Sequence, residues 1–356
     1  MKKRKTKPPI LPGNLNDPTG ADRLERGAIN EFGKRIRCIA KAYQDILDRI
    51  PASPAVNLRY TFDLDTSLLS MLLSNASVIV DEILFGGSET DFWFWRDYVR
   101  QGYQRGTAQE FASLSQQSPV YAAGRESLQQ LLLSDPYQRR LLLVRARVFE
   151  EMKNLSARMK SDMARILTDG MGRGQNPREI AKRLTSQTGI ELSRAKRIAR
   201  TEIPTALRRA RWDETDDAEA QYGITTRLLH LSAFSPTTRR KHALRHGYLY
   251  TTEEVRDWYS VDGNAINCKC TQVAVLVNAS GQPLNPNIID MAKKRLEKAQ
   301  KAGLIANHCD CGHHRAAYSS GNVKRGGVPK CVPNNKKCCS LPYLTGLSEL
   351  IFVIVK

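Results

Sequence analysis

The run TTRLLHLSAFSPTTRRKHALRHGYLYTTEEVRDWYSVDGNAINCKCTQVAVLV, residues 225–277, decides the fold. Its first ten residues carry β-branched and aliphatic side chains around His230 and read as a strand. Residues 248–252 read as a second strand. Residues 272–277, where Val273, Val275 and Val277 alternate, read as a third. Residues 253–259 between the last two fit one or two helical turns. From residue 191 to 278 the chain is therefore expected to be a small α+β module.

Upstream the period changes to that of helices. Ile29, Ile36, Ile39, Ala40, Tyr43, Ile46 and Leu47 recur at helical intervals from about residue 26, and Pro51 and Pro54 end that segment. Residues 68–84 read as a second helix ending at Gly86-Gly87. Ser88-Glu89-Thr90-Asp91 predicts a capping box for a third. That third helix carries Phe92, Trp93, Phe94, Trp95, Tyr98 and Tyr103, more aromatic surface than one helix face holds. Two fates are open to it, burial against neighbouring helices or a patch facing a partner. Val148, Met152, Leu155, Met159, Met163 and Ile166 then form one seam along a long helix stopped by Gly170, Gly172 and Gly174. Asn176-Pro177 predicts a short helix over 178–184 that ends before Gly189. Ser193 predicts the cap of a further helix, kinked by Pro204.

The fold class is thus α+β. It comprises a disordered basic arm (1–25), a mainly α-helical domain (26–190) and the α+β domain (191–278). A linker with a basic helix (279–307) and a Cys/His-rich tail (308–356) follow. A chain of 356 residues exceeds one small core, and 41% hydrophobic residues exclude wholesale disorder. The net charge of +19 favours a polyanionic partner, nucleic acid above all, or acidic protein surfaces; solvated charged helices are the plain alternative. Lys2-Lys3-Arg4-Lys5 is followed by Pro8, Pro9 and Pro12 where a signal peptide needs an apolar run. The apolar run 350–355 is far shorter than the ~20 residues that cross a bilayer. No membrane role is expected, and synthesis in a reducing cytoplasm makes the eight cysteines poor candidates for a disulfide framework.

Three clusters carry the candidate chemistry. Arg200-Thr201-Glu202 sits in a helix, where Glu202 can accept from neighbours of Arg200 or from Arg239, or form a plain surface ion pair. His242 and His246 lie one helical turn apart before Gly247, able to share a metal or to pack as structural residues. Cys268 and Cys270 project to one side of an extended chain. They can supply thiolates to a zinc completed by His242 or His246, or pack as small apolar groups. In the tail, Cys309, Cys311, His313 and His314, with Cys331, Cys338 and Cys339, offer ligands for a second zinc site; a disordered or docked tail is the other reading. Arg194, Arg197, Arg208 and Arg211, with the basic helix at 293–301, are candidates to contact phosphates without reading sequence.

In order and spacing, RTE (200–202), RRKHALRHG (239–247) and NCKC (267–270) resemble the Mu F and SPP1 gp-seven-type head morphogenesis family of tailed phages. The resemblance covers roughly residues 140–278, more loosely from about 90. Two departures stand out: residues 232–236 lack the acidic residue usual upstream of the arginine, and lysine replaces arginine at 269. The resemblance implies a non-enzymatic minor head protein, located in the head interior or portal region of the virion. It implies binding to portal, capsid or scaffold proteins and, non-specifically, to double-stranded DNA. Arg200, Thr201, Glu202, Arg239, His242, Gly247, Asn267, Cys268 and Cys270 would then be architectural. Two rival readings are a metal-dependent nuclease of the His-Asn-His kind, weakened by the missing acidic ligand near His242, and a phage-borne toxin or effector fusion, for which the tail is short.

Overall fold

The stripe over residues 29–47 lies on helix α1 (Asp22–Asp48), and the seam over 148–166 lies on α6 (Asp135–Gly172), where all six of its side chains are buried. The structure, a computed structural model, describes residues 6–302 apart from 87, 126 and 236. Side chains three and four apart face one neighbour, so α1 and α6 close on a common core with α2 (Thr66–Phe85) and the first half of α7 (Pro177–Tyr222). Pro51 and Pro54 do end α1. The chain between them enters an antiparallel hairpin, β1 (Ala52–Pro54) and β2 (Tyr60–Phe62), that no alternation in the sequence announced. Tyr60 N–H donates to the Gly174 carbonyl at 2.9 Å, which ties the hairpin to the turn after α6.

The aromatic run is core. Phe92, Trp93, Phe94 and Trp95 are all buried, at the entrance of a π-helical turn (Trp95–Val99) that leads into α3 (Arg100–Gln117), which the short helices α4 (Pro119–Gly124) and α5 (Leu128–Leu133) follow. Phe32 meets Trp93 edge-on at 4.8 Å, Phe92 packs on Phe149, and the Trp93 indole donates to the Leu84 carbonyl. The patch for a partner is therefore not there. The capping box is absent too, since Ser88 and Thr90 bond each other through their hydroxyls.

Helix α7 corrects two further expectations. It runs unbroken for 46 residues through Gly189, and Ser193 bonds back to the Gly189 carbonyl instead of capping a new helix. Ile180, Leu184, Ala195, Ala199, Ile203 and Leu207 are buried on both sides of the glycine, so tertiary packing outweighs the ~1 kcal/mol that glycine costs inside a helix. The division expected at 190/191 consequently falls inside one rod, whose first half packs on α1 and α6 and whose second half reaches the sheet.

The sheet has the order β4-β3-β5, all antiparallel: β3 (Thr226–Leu231) in the centre, β4 (Leu249–Tyr250) and β5 (Thr271–Leu276) beside it. The register Leu228↔Ala274 and Leu229↔Val273 sorts the side chains by face. Leu228 and Ala274 meet Trp212 of α7 and helix α9 (Thr252–Ser260) on one side. Leu229, Leu231, Val273 and Val275 meet Ile288 and Ala292 of α10 (Asn287–Lys301) on the other. The basic helix expected beyond a linker is thus the sheet's second cover. The free edge of β5 is closed by α3: Glu110 accepts from Ala274 N–H, and Gln117 bonds both Ala274 O and Leu276 N–H.

Residues 6–21 of the expected arm are laid on the body, while Lys2–Lys5 lie outside the described residues. Ile10 N–H donates to Ser113, and Phe234 N–H to the Leu15 carbonyl. Asp17 receives Gly20, Ala21 and Asp22 N–H groups at the start of α1, where a carboxylate is favoured by the helix dipole. Among the described residues α2, at 20 residues, is long and apolar enough to cross a membrane. Leu72, Ala76, Val80 and Leu84 on it are buried in the helical core.

Candidate functional site

Two arginines that the sequence made look unrelated hold one loop by its backbone. Arg239 precedes the short helix α8 (Arg240–Ala243), and its guanidinium reaches the carbonyls of Gly263, Asn264 and Ile266 at 2.7–3.1 Å. Arg208, on α7 and fully buried, reaches the carbonyls of Cys268 (2.8 Å) and Cys270 (3.4 Å) and stacks over Tyr259. A planar fork of donors suits this gathering of oxygens. Asn267 stands between the two sets with φ +52°, a left-handed conformation that asparagine tolerates, and its N–H donates to Thr201. The RTE helix and the NCKC loop are therefore in direct contact through Thr201.

Glu202 does not meet Arg239. It is buried, and Arg147 of α6 donates to both its oxygens at 2.6–2.7 Å. Burial pushes its carboxyl up, against the pull of Arg147. Arg200 is exposed and lines the cleft described below. Gly247, at φ +81°, makes the turn in which its N–H donates to His230 O.

The loop so held presents the thiols. Cys268 Sγ is 3.3 Å and Cys270 Sγ 3.7 Å from His242 Nδ1, all three residues being buried. Each sulfur has its own hydroxyl at 3.6 Å, Tyr259 for Cys268 and Ser232 for Cys270. Tyr259 accepts from Gln272, which leaves its own proton for the sulfur. Burial pushes the Cys268 thiol up, but bonds from Cys270 and His242 and the charge of Arg208 outweigh it and hold the thiol well below its usual range. The bond to Cys268 and burial hold Cys270 well above it. The three residues line a cleft of about 620 Å³ with Asp22, Glu25, Arg26, Arg200, Arg239 and Lys269. Lys269 pairs with Asp22 and Glu25 of α1, so the lysine at 269 joins the loop to the helical body. Burial raises the Glu25 carboxyl to about 7, with Lys269 opposing.

His246 leaves the expected ligand set. Ser232 N–H donates to its Nδ1 at 3.1 Å, and Nε2 bonds the Ala292 carbonyl at 3.0 Å, so both ring nitrogens are occupied by backbone. Burial lowers its ring to about 4. Two of the four proposed phosphate-binding arginines are also inside. Arg208 is the clamp just described, and Arg211 pairs with buried Glu110 at 2.6 Å. Arg194 pairs with Asp162 and Glu191, and Arg197 is exposed. Cys309, Cys311, His313, His314, Cys331, Cys338 and Cys339 lie outside the described residues. The clamp role of Arg208, the Arg147 partner of Glu202 and the Glu110–Arg211 pair went unseen in the sequence. Their partners lie some 55 to 100 residues away, beyond any local pattern.

A long helix, a three-stranded sheet and a thiol loop pinned by two arginines define an α+β module. Residues 161–273 match the family described as Phage Mu protein F like protein. That stretch runs from the end of α6 to the start of β5 and is similar to a phage Mu protein F-like domain. Comparisons with curated proteins and with solved structures return no match.

Proposed function

We propose that the chain is a minor head protein of a tailed phage, acting in head morphogenesis inside the virion or at the portal. It would contact portal, capsid or scaffold proteins and, without sequence preference, packaged double-stranded DNA. The observation that carries this reading is the Mu F-like match over residues 161–273. The site geometry supports an architectural role, because Thr201, Arg208, Arg239 and Gly247 all bond to backbone and none is left aimed at a substrate.

For DNA, the burial of Arg208 and Arg211 moves the proposed interface to other cations. Arg197 and Arg200 on α7, and Lys293, Lys294, Lys298 and Lys301 on α10, are exposed. Phosphate pairing of this kind releases counterions, so affinity for an arbitrary duplex should drop steeply between about 50 and 200 mM salt. Fluorescence anisotropy with a random-sequence duplex checks this, and an affinity unchanged by salt removes DNA from the proposal. The chain is read as non-catalytic. Incubation of the pure protein with supercoiled plasmid and Mg²⁺, Mn²⁺ or Zn²⁺ should leave the plasmid intact, and nicking abolished by His242→Ala would replace this reading with a nuclease.

A further inference from the structure

We propose that Cys268, Cys270 and His242 bind one zinc ion, with the fourth coordination position facing the cleft. The inference is independent of the head-protein reading, since it rests only on three side chains and their surroundings. The ligand atoms of these residues lie within 4.8 Å of one another. A tetrahedral zinc with Zn–S of about 2.3 Å and Zn–N of about 2.0–2.1 Å sets S···N edges near 3.5 Å and S···S edges near 3.8 Å. The two S···N separations here, 3.3 and 3.7 Å, bracket the first value, so an ion fits with little rearrangement.

The donor set selects the metal. Two sulfurs and an imidazole favour zinc over magnesium or calcium, which take oxygen. The surroundings suit a pair of thiolates. The Tyr259 and Ser232 hydroxyls each approach one sulfur, and the Arg208 guanidinium lies against the two cysteine carbonyls. Outer partners of this kind orient ligands and offset their charge. The His242 ring has Nδ1 toward the sulfurs and its Nε2 buried without a partner, edge-on to Trp258 at 4.6 Å. The group contains no fourth residue among those described, and its three members line the cleft, so water or a small anion completes the shell. Both cysteines bind as thiolates, so binding releases whatever thiol protons remain.

The test uses the full chain. Because the tail also carries cysteines, the parent for the experiment has Cys309, Cys311, Cys331, Cys338 and Cys339 replaced by serine. After exhaustive dialysis this parent should retain one zinc per chain, with an X-ray absorption spectrum showing two sulfur neighbours and two lighter ones. Cobalt exchanged into it should show thiolate charge-transfer and tetrahedral ligand-field bands, the latter shifted by azide at the open position. Cys268→Ser, Cys270→Ser and His242→Ala should each weaken zinc binding by at least about tenfold. Where such a variant fails to fold, the cobalt spectrum of the folded parent decides alone. A folded parent that holds no zinc, or whose cobalt spectrum lacks sulfur charge transfer, overturns the proposal and leaves a hydrogen-bonded thiol pair.

Discussion

Arg208 shows how far a residue's role can lie from its composition. Counted along the sequence it belongs to a run of cations facing only Glu191 and Glu202; in space it is sealed under Tyr259, holding the carbonyls of Cys268 and Cys270. Arg208→Met keeps much of the volume and strands those oxygens, so it should cost about 2–3 kcal/mol, the scale of hydrogen bonds to charged groups. Arg197→Met, at the surface, should stay within about 0.5 kcal/mol. Urea unfolding of both variants checks the contrast, and equal midpoints would return Arg208 to the solvent-facing set. Glu214 gives a pH signature. Burial raises its carboxyl from 4.5 to about 7, against bonds from Tyr121 and Arg125. A carboxyl raised on folding contributes stability that is fully present below about pH 4.5 and lost as pH rises through about 7. Burial of His230 and His246 lowers their rings to about 3 and 4, which acts in the opposite sense: stability present above about pH 6.5 is lost as pH falls toward those values. Glu214→Gln should therefore reduce the loss of stability between pH 5 and 8 by on the order of 1–3 kcal/mol. An unchanged pH slope would contradict that assignment.

At the scale of elements, patterns of period two and period four were legible, and interruptions were not. The alternation at Val273 and Val275, the strand around His230 and the helix after Thr251 each appear where the sequence placed them. The seam of α6 does as well. The hairpin of three-residue strands was too short to show alternation, and Gly189 was read as a stop because nothing local reports the core that α7 shares with α1. The thiol pair and His242 were legible as neighbours; His246 was not separable from them, because its partners, Ser232 and Ala292, are backbone groups. Two glycines test the packing argument against the local one. Gly106 of α3 faces α7 so closely that an added methyl would meet the Leu207 carbonyl and Ala210, and Gly106→Ala should cost about 1–3 kcal/mol. Gly189 has nothing within 4 Å of that position, so Gly189→Ala should stabilise by about 0.5–1 kcal/mol. Thermal melts of the pair should move in opposite directions. A destabilised Gly189→Ala would mean that α7 does not run straight through this position.

For the whole molecule, a single rod links a helical body to a sheet covered on both faces, and the basic excess is sorted by burial. Some arginines are committed to internal pairs and carbonyl clamps, while lysines on α10 stay at the surface. If those lysines meet phosphates, neutralising Lys293, Lys294, Lys298 and Lys301 together should flatten the salt dependence of DNA affinity. The log–log slope should fall by up to about 0.9 for each phosphate that no longer meets a cation. The proposed head-building role is open to quantitative mass spectrometry of proheads and filled heads purified from the phage or prophage that encodes this chain. The polypeptide should appear in proheads, at low copy, co-purifying with the portal. Its absence from proheads and filled heads alike, with heads assembling normally when its gene is deleted, would mean that it has no part in building them.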